Sequence, residues 1–496
     1  MNKQHTADSL PEAQVDIIRC PYDGRAIGEI PVSNEEHAEQ VIEQAVRSFQ
    51  TMRKLPRFIR ADILERTAAI IQDWRDEFVE LIAQESGKPI YDARGEVSRA
   101  LFNLRNAAAE ARAFSGAEIP LDVDASVFEY QIATTDGGQL DLANTDLDTL
   151  AGLGRRIGLA RRFPIGPILA VTPFNFPLNL VVHKVAPALA VGNSVVIKPA
   201  PQTPLTSLKL IEALRLAGLP EGAASVIHCP VPVAEKLVRD ERFAMVSFTG
   251  SVKVGWHIKS IAGRKKVALE LGGNGAVVVG EDADLDFAAA RCVRGGVVYG
   301  GQYCIGVQRI LVQQSVYADF RAKLLQRMQA CKVGNPLEEG IDVGPVIDAA
   351  AANRIESWIK AASDAGATVL TGGERQGNVI TPTILENTTP DMLVEKEEIF
   401  GPVVTLNPIA SIEEGVQRAN DSRFGLQGGL FTRDIQAAFR ALEDWDVGGL
   451  MINDVPIYRI DNMPFGGWKE SGFGREGTRF AMEEMTDIKF MVVNYA

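Results

Sequence analysis

Two short stretches of this sequence hold side chains in settings where they could do chemistry. The first is Val267-Ala-Leu-Glu-Leu-Gly-Gly273, an apolar run with one carboxylate, Glu270, leading into two glycines. A carboxyl group enclosed by apolar neighbours loses hydration of its charged form. Its pKa then rises toward neutrality, which suits a general base; on a solvated strand it would be an ordinary surface acid. The second is Gly300-Gly-Gln-Tyr-Cys304. Glycines allow close approach of the backbone to a ligand, and this context favours Cys304 as a nucleophile. The other cysteines, Cys20, Cys229, Cys292 and Cys331, read as small buried apolar residues. An odd number of cysteines, widely spread and without Cys/His clusters, gives no disulfide framework and no metal site.

Upstream lies a regular stretch that positions further candidates. Ile168–Thr172 reads as a short strand stopped by Pro173, and Leu178–Val191 as a helix that Pro187 must kink or divide. Ser194–Lys198 is a second strand. Thr203-Pro204 supplies an N-cap and a first-turn proline for a helix ending at Gly218. Ala224–Ile227 and Met245–Phe248 are third and fourth strands. Strands separated by helix-length segments imply parallel pairing in a doubly wound α/β sheet, which binds ligands beyond the carboxyl ends of its strands. Thr172-Pro173-Phe174-Asn175 ends the first strand, Lys198 the second, and Phe248-Thr249-Gly250-Ser251 the fourth. Gly250 and Gly255 frame a helix start whose N–H groups suit a pyrophosphate, although GSVKVG is not GxGxxG and is weak alone.

The remaining sequence bounds the rest. Its 496 residues suggest two or three packed units. Residues 41–112 read as helices, with apolar residues three and four apart. Two alternating runs around a long polar loop, within 126–162, resemble a projecting hairpin. Lys+Arg 51 against Asp+Glu 64 gives a net charge of −13, which argues against nucleic acid or an anionic membrane as partner. Leu178 to Ile197 is interrupted by His183, Lys184, Pro187 and Asn193, so no transmembrane span is expected. The first residues lack the apolar core of a signal peptide, and a cytoplasmic protein is expected.

Read together, Thr172-Pro-Phe-Asn-Phe-Pro177, Lys198-Pro-Ala200, Phe248-Thr-Gly-Ser251, Glu270-Leu-Gly-Gly273, Gly301-Gln-Tyr-Cys304, Glu398-Ile-Phe-Gly-Pro402 and Pro464-Phe-Gly-Gly467 resemble the signatures of the aldehyde dehydrogenase superfamily, in order and over most of the chain. The resemblance implies NAD(P)-dependent oxidation of an aldehyde to its acid. Cys304 would be the nucleophile, Asn175 and the Cys304 N–H the oxyanion donors, and Glu270 the base that activates the hydrolytic water. Thr172, Pro173 and Phe174 would line the coenzyme site, with Phe248, Gly250 and Ser251 opposite and Leu271 beside them. Lys198 and Glu398 would hold the two riboses, and Phe400 would pack near the nicotinamide. The resemblance further implies a coenzyme domain (1–125 and 163–270), a catalytic domain (271–477) and an oligomerisation element (126–162 and 478–496), in a homodimer or homotetramer.

The sequence departs from the family pattern in places. Asn274 follows Glu-Leu-Gly-Gly, and His228-Cys-Pro-Val-Pro232 stands where a glycine is expected. Pro201 replaces the glutamate that many NAD-preferring members use for the adenosine ribose, so both NAD and NADP are expected to serve. Glu270 argues against a coenzyme A-acylating member. No histidine stands ready for a hydrolase, and Cys304, Glu270 and Asn175 together argue against a silent binding protein of this fold. The runs Cys304–Arg309 and Asn453–Asp461 resemble a subgroup acting on small polar or anionic aldehydes, such as lactaldehyde, phosphonoacetaldehyde and sulfolactaldehyde. For the far end of such a substrate, Arg459 is the first candidate, with His183 and Arg105 beside it; alternatively Arg459 only pairs with Asp461.

Overall fold

The computed structural model describes residues 14–124 and 155–495. Two sheets meet at the glycines that follow Glu270. The first has six strands in the order Gly472–Phe473, Lys266–Glu270, Met245–Thr249, Ile168–Val171, Val195–Lys198, Ala224–Val226. All pairings are parallel except that of Gly472–Phe473. Val171 stands opposite both Lys198 and Phe248, and Thr249 opposite Glu270. The four strand ends therefore open at one level, and strand order reverses at Ile168–Val171, where a crevice forms.

The second sheet has seven strands, with Gly275–Val279 and Val307–Gln313 at its centre. They run parallel, and Gly275 pairs with Val307. Glu270 and Cys304 thus stand just before two neighbouring central strands. A third sheet pairs Arg156–Pro164 with Thr486–Asn494 on one side and Ala117–Ile119 on the other. The first arm of the expected hairpin and its 134–154 loop lie outside the described residues. Among the described residues, no helix is long and apolar enough to cross a membrane.

Local details correct several expectations. Asn179–Val191 is one helix that runs through Pro187, and every one of its residues is buried. Packing on all sides offsets the hydrogen bond that proline removes. Its first N–H groups, at Leu178 and Asn179, donate to the Glu96 carboxylate, which also pairs with Lys88. Thr203 does not cap the helix Leu205–Leu216: its buried hydroxyl has no partner. The Leu205 and Thr206 N–H groups donate instead to Glu85, 120 residues upstream. Cys20, Cys229 and Cys292 are buried as expected, but Cys331 is partly exposed beyond the end of the helix Tyr317–Gln329.

Candidate active site

The loop that carries Cys304 is built by conformation rather than by regular structure. Tyr299, Gly300 and Gly301 have φ of 49°, 58° and 70°, a left-handed run that favours glycine. Tyr299 tolerates it because its buried hydroxyl donates to Ser86 O at 2.7 Å. The absent Gly301 side chain admits the Gly401 backbone rather than a ligand, contrary to the sequence reading. Gln302 pins the turn by accepting from Ile347 N at 2.8 Å. Asn175 donates to Gln302 O at 3.0 Å, which leaves its second amide hydrogen free and its Oδ1 unpartnered.

A cleft of about 640 Å³ runs along the strand ends to Cys304. Thr172, Pro173 and Phe174 form one wall, and Lys198 and Pro201 also line the cleft. Phe248, Gly250, Ser251 and Leu271 form another, and Glu398 and Phe400 close it near Cys304. A Cβ on Gly250 would stand 2.5 Å from the Phe248 ring. The helix Val252–Ile261 begins at this wall with no side chain capping its first turn, so its N–H groups are open to an anion. Thr172 Oγ1 is buried without a partner. An elongated cleft, an uncapped helix start and unpartnered buried polar atoms fit a dinucleotide. Arg354 and Trp358, from the helix Ala349–Asp364, also line it. Sequence reasoning missed them, because nothing local marks a surface helix as facing a cleft.

Burial dominates the electrostatics. It pushes the Cys304 thiol up to about 12, with the Glu398 charge acting the same way. Glu398 is itself raised to about 7 by burial, and accepts from Gly273 N at 3.0 Å. Glu270 is raised well above the usual carboxylate range, first by burial and then by the neighbouring Glu476 charge. Glu270 Oε2 has no partner. Lys184 donates to Glu476 at 2.5 Å and to Thr249 Oγ1 at 2.7 Å. This buried Lys184–Glu476 pair also escaped the sequence reading.

Beyond Tyr303 lies a second charged group. The Arg459 side chain is only 4% exposed and its guanidinium stacks on Phe465 at 3.6 Å. Its Nη2 lies 3.5 Å from His183 Nδ1, and Glu476 Oε2 is 3.9 Å away. His183 Nε2 stands 2.9 Å from Asp461 Oδ1. Burial and the Arg459 charge lower the His183 pKa, so a neutral ring donating to Asp461 fits. Arg459 and His183 therefore meet, as the sequence suggested. Arg105 does not join them: it faces solvent on the helix Ile90–Ala113. Six residues earlier on that helix, Arg99 donates to Asp461 Oδ2 at 3.0 Å and to the Tyr303 hydroxyl at 2.9 Å. Six residues is about 240° of helical rotation, enough to put the two arginines on different faces.

The family model described as the aldehyde dehydrogenase family matches residues 11–491. The 3-sulfolactaldehyde dehydrogenase of Priestia aryabhattai is 39% identical over 474 residues, 95% of this chain and 94% of the relative. The crystal structure of aldehyde dehydrogenase 21 from Physcomitrella patens, in complex with the reaction product succinate, superposes with a TM-score of 0.90 at 38% identity, covering 98% of this chain and 96% of that one. A glyceraldehyde-3-phosphate dehydrogenase from Methanocaldococcus jannaschii, complexed with NADP, gives 0.88 at 36% identity, covering 98% and 100%.

Proposed function

This chain belongs to the aldehyde dehydrogenase family and is an NAD(P)-dependent aldehyde dehydrogenase, and we propose that its substrate is a small aldehyde carrying an anionic group. The observation that carries this reading is the excess of cation around Asp461. Arg99, Arg459 and Lys184 face two carboxylates, Asp461 and Glu476, and His183 beside them is neutral. One positive charge is left over near Tyr303 and Phe465, and Arg459 Nε is a buried donor without a partner. A carboxylate, sulfonate or phosphate on the substrate would meet that donor. The relatives named for 3-sulfolactaldehyde and glyceraldehyde-3-phosphate, and the structure holding succinate, are consistent with it.

In this reading Cys304 Sγ attacks the aldehyde carbon after losing its proton, for which Glu270, raised toward neutrality, is the acceptor within the site. The free amide hydrogen of Asn175 and the Cys304 backbone N–H stabilise the oxyanion. Lys198 and Glu398 would hold the riboses of a bound dinucleotide, and the uncapped helix start would hold its pyrophosphate. The chemistry a bound nicotinamide would supply is acceptance of a hydride from the carbon attached to Cys304. Glu270 first releases the thiol proton to solvent; the thioester left on Cys304 is then hydrolysed by a water that the ionised Glu270 deprotonates, which frees the acid and the thiolate. Glu476 keeps Glu270 basic by like-charge repulsion.

Assembly as a homodimer or homotetramer is part of the proposal. Among the described residues, its support is the open edge strand Thr486–Asn494, where Ile488, Phe490, Met491 and Val492 are all at least half exposed, and Gly449–Ile452, which leaves a second open edge on the seven-stranded sheet. Unpaired strand edges with apolar side chains favour pairing with another chain. Residence in the cytoplasm fits the five free thiols. NADH absorbance with matched anionic and neutral aldehydes tests the substrate reading. A preference for the neutral members would overturn it.

A further inference from the structure

Away from the catalytic cleft, three arginines converge with no carboxylate of the described residues among them. Arg57 and Arg60 stand on the first turn of the helix Arg57–Asp73, and Arg162 comes from the strand Arg156–Pro164. All three line one small cleft with Phe114, Ser115 and Thr486. Helix first turns attract acids, because the exposed N–H groups carry partial positive charge. This one has no acidic residue, and its N-cap residue, Pro56, offers no side-chain bond.

The Arg60 guanidinium is only partly satisfied, while Arg162 Nη1 also reaches Thr486 Oγ1 at 3.3 Å. Arg60 is about nine-tenths buried. Its Nη1 donates to Val191 O at 2.6 Å, at the end of the Asn179–Val191 helix. Its Nε is buried and has no partner. Arg162 donates to Glu483 O at 3.2 Å and lies over the Phe114 ring. Among the described residues, no carboxylate pairs with any of the three. Burial and the Arg57 charge depress the Arg60 pKa to about 10, without an opposing anion. A buried cation without a counter-charge is costly.

We infer that this cleft is a binding site for a small tetrahedral oxyanion, phosphate or sulfate, held by Arg57, Arg60 and Arg162. A planar carboxylate has two oxygens, which a single guanidinium fork satisfies. Donors arriving from two separate elements instead suit an anion with acceptors pointing in several directions. Bound there, the anion links the start of the Arg57–Asp73 helix to the three-stranded sheet, and so stabilises the fold rather than the chemistry.

The test uses the full chain and inorganic phosphate as probe, titrated at constant ionic strength against chloride, with sulfate, acetate and a sugar phosphate as further arms. The thermal midpoint is expected to rise saturably, by ~2–4 °C, with phosphate and sulfate. Acetate and chloride should give no saturable rise. A response to the sugar phosphate as strong as to phosphate would identify a phosphate group on a larger molecule as the ligand. Arg57→Leu lies at the exposed rim and should fold. It should weaken phosphate at least ~10-fold and leave kcat/KM for the aldehyde unchanged. Arg60→Met should abolish the response. An equal rise with chloride, or an undiminished response in Arg57→Leu, would overturn the site whether or not Arg60→Met folds.

Discussion

Arg459 lies 3.5 Å from Asp461 yet makes no hydrogen bond to it, because Arg99 already occupies that carboxylate in a two-pronged pairing. The expected alternative, in which Arg459 serves only as the partner of Asp461, leaves its buried Nε unexplained. A substrate anion gives that donor a partner.

Arg459→Leu should therefore weaken an anionic aldehyde by ~1.5–3 kcal/mol in kcat/KM, the worth of one charge-assisted hydrogen bond. A neutral aldehyde of similar length should keep its kcat/KM. Steady-state kinetics with the pair decides it; equal losses would mark Arg459 as a structural residue. Arg105→Leu, on the solvent face, should change neither.

Cys304→Ala should abolish aldehyde oxidation and leave coenzyme binding intact, measured by fluorescence titration. In the free enzyme the thiol is held up to about 12, with Glu398 the largest cause after burial. Glu398→Gln removes that charge. The pH midpoint for iodoacetamide alkylation of Cys304 should then move down; an unmoved midpoint would show that burial alone controls the thiol.

Glu270→Gln keeps the shape and loses the proton acceptor. A single-turnover burst of NADH should survive while the steady rate falls ~10²–10⁴-fold. A base works when ionised, so the rate should climb as pH passes the raised Glu270 pKa. Glu476→Gln removes the neighbouring negative charge, so Glu270 ionises more readily and the rising limb of kcat shifts to lower pH. A limb that stays in place would show that Glu476 does not set the base.

Pro201 lines the coenzyme cleft and offers no carboxylate to an adenosine ribose. The wild type should use both NAD and NADP. Pro201→Glu should shift the ratio of kcat/KM toward NAD by ~10-fold or more, through repulsion of the 2′-phosphate. Wild-type selectivity for NAD of several times ~10² would contradict this.

What the sequence determined by itself was local. Glycines, prolines and apolar runs marked the strand ends and placed Thr172, Lys198, Phe248 and Glu270 at them. Cys304 was legible from the glycines before it, although the close approach that Gly301 permits is to the Gly401 backbone and not to a ligand. Spacing alone did not reveal the long-range partners. Glu85 caps a helix 120 residues away in place of the adjacent Thr203, because a buried carboxylate satisfies two N–H groups at once. Arg99 rather than Arg105 reaches Asp461 because helix rotation and the fold of a loop 360 residues later decide which face meets which. The protonation of Cys304, Glu270 and His183 likewise belongs to the tertiary structure, since burial and the nearness of Glu398, Glu476 and Arg459 exist only once the sheets have packed.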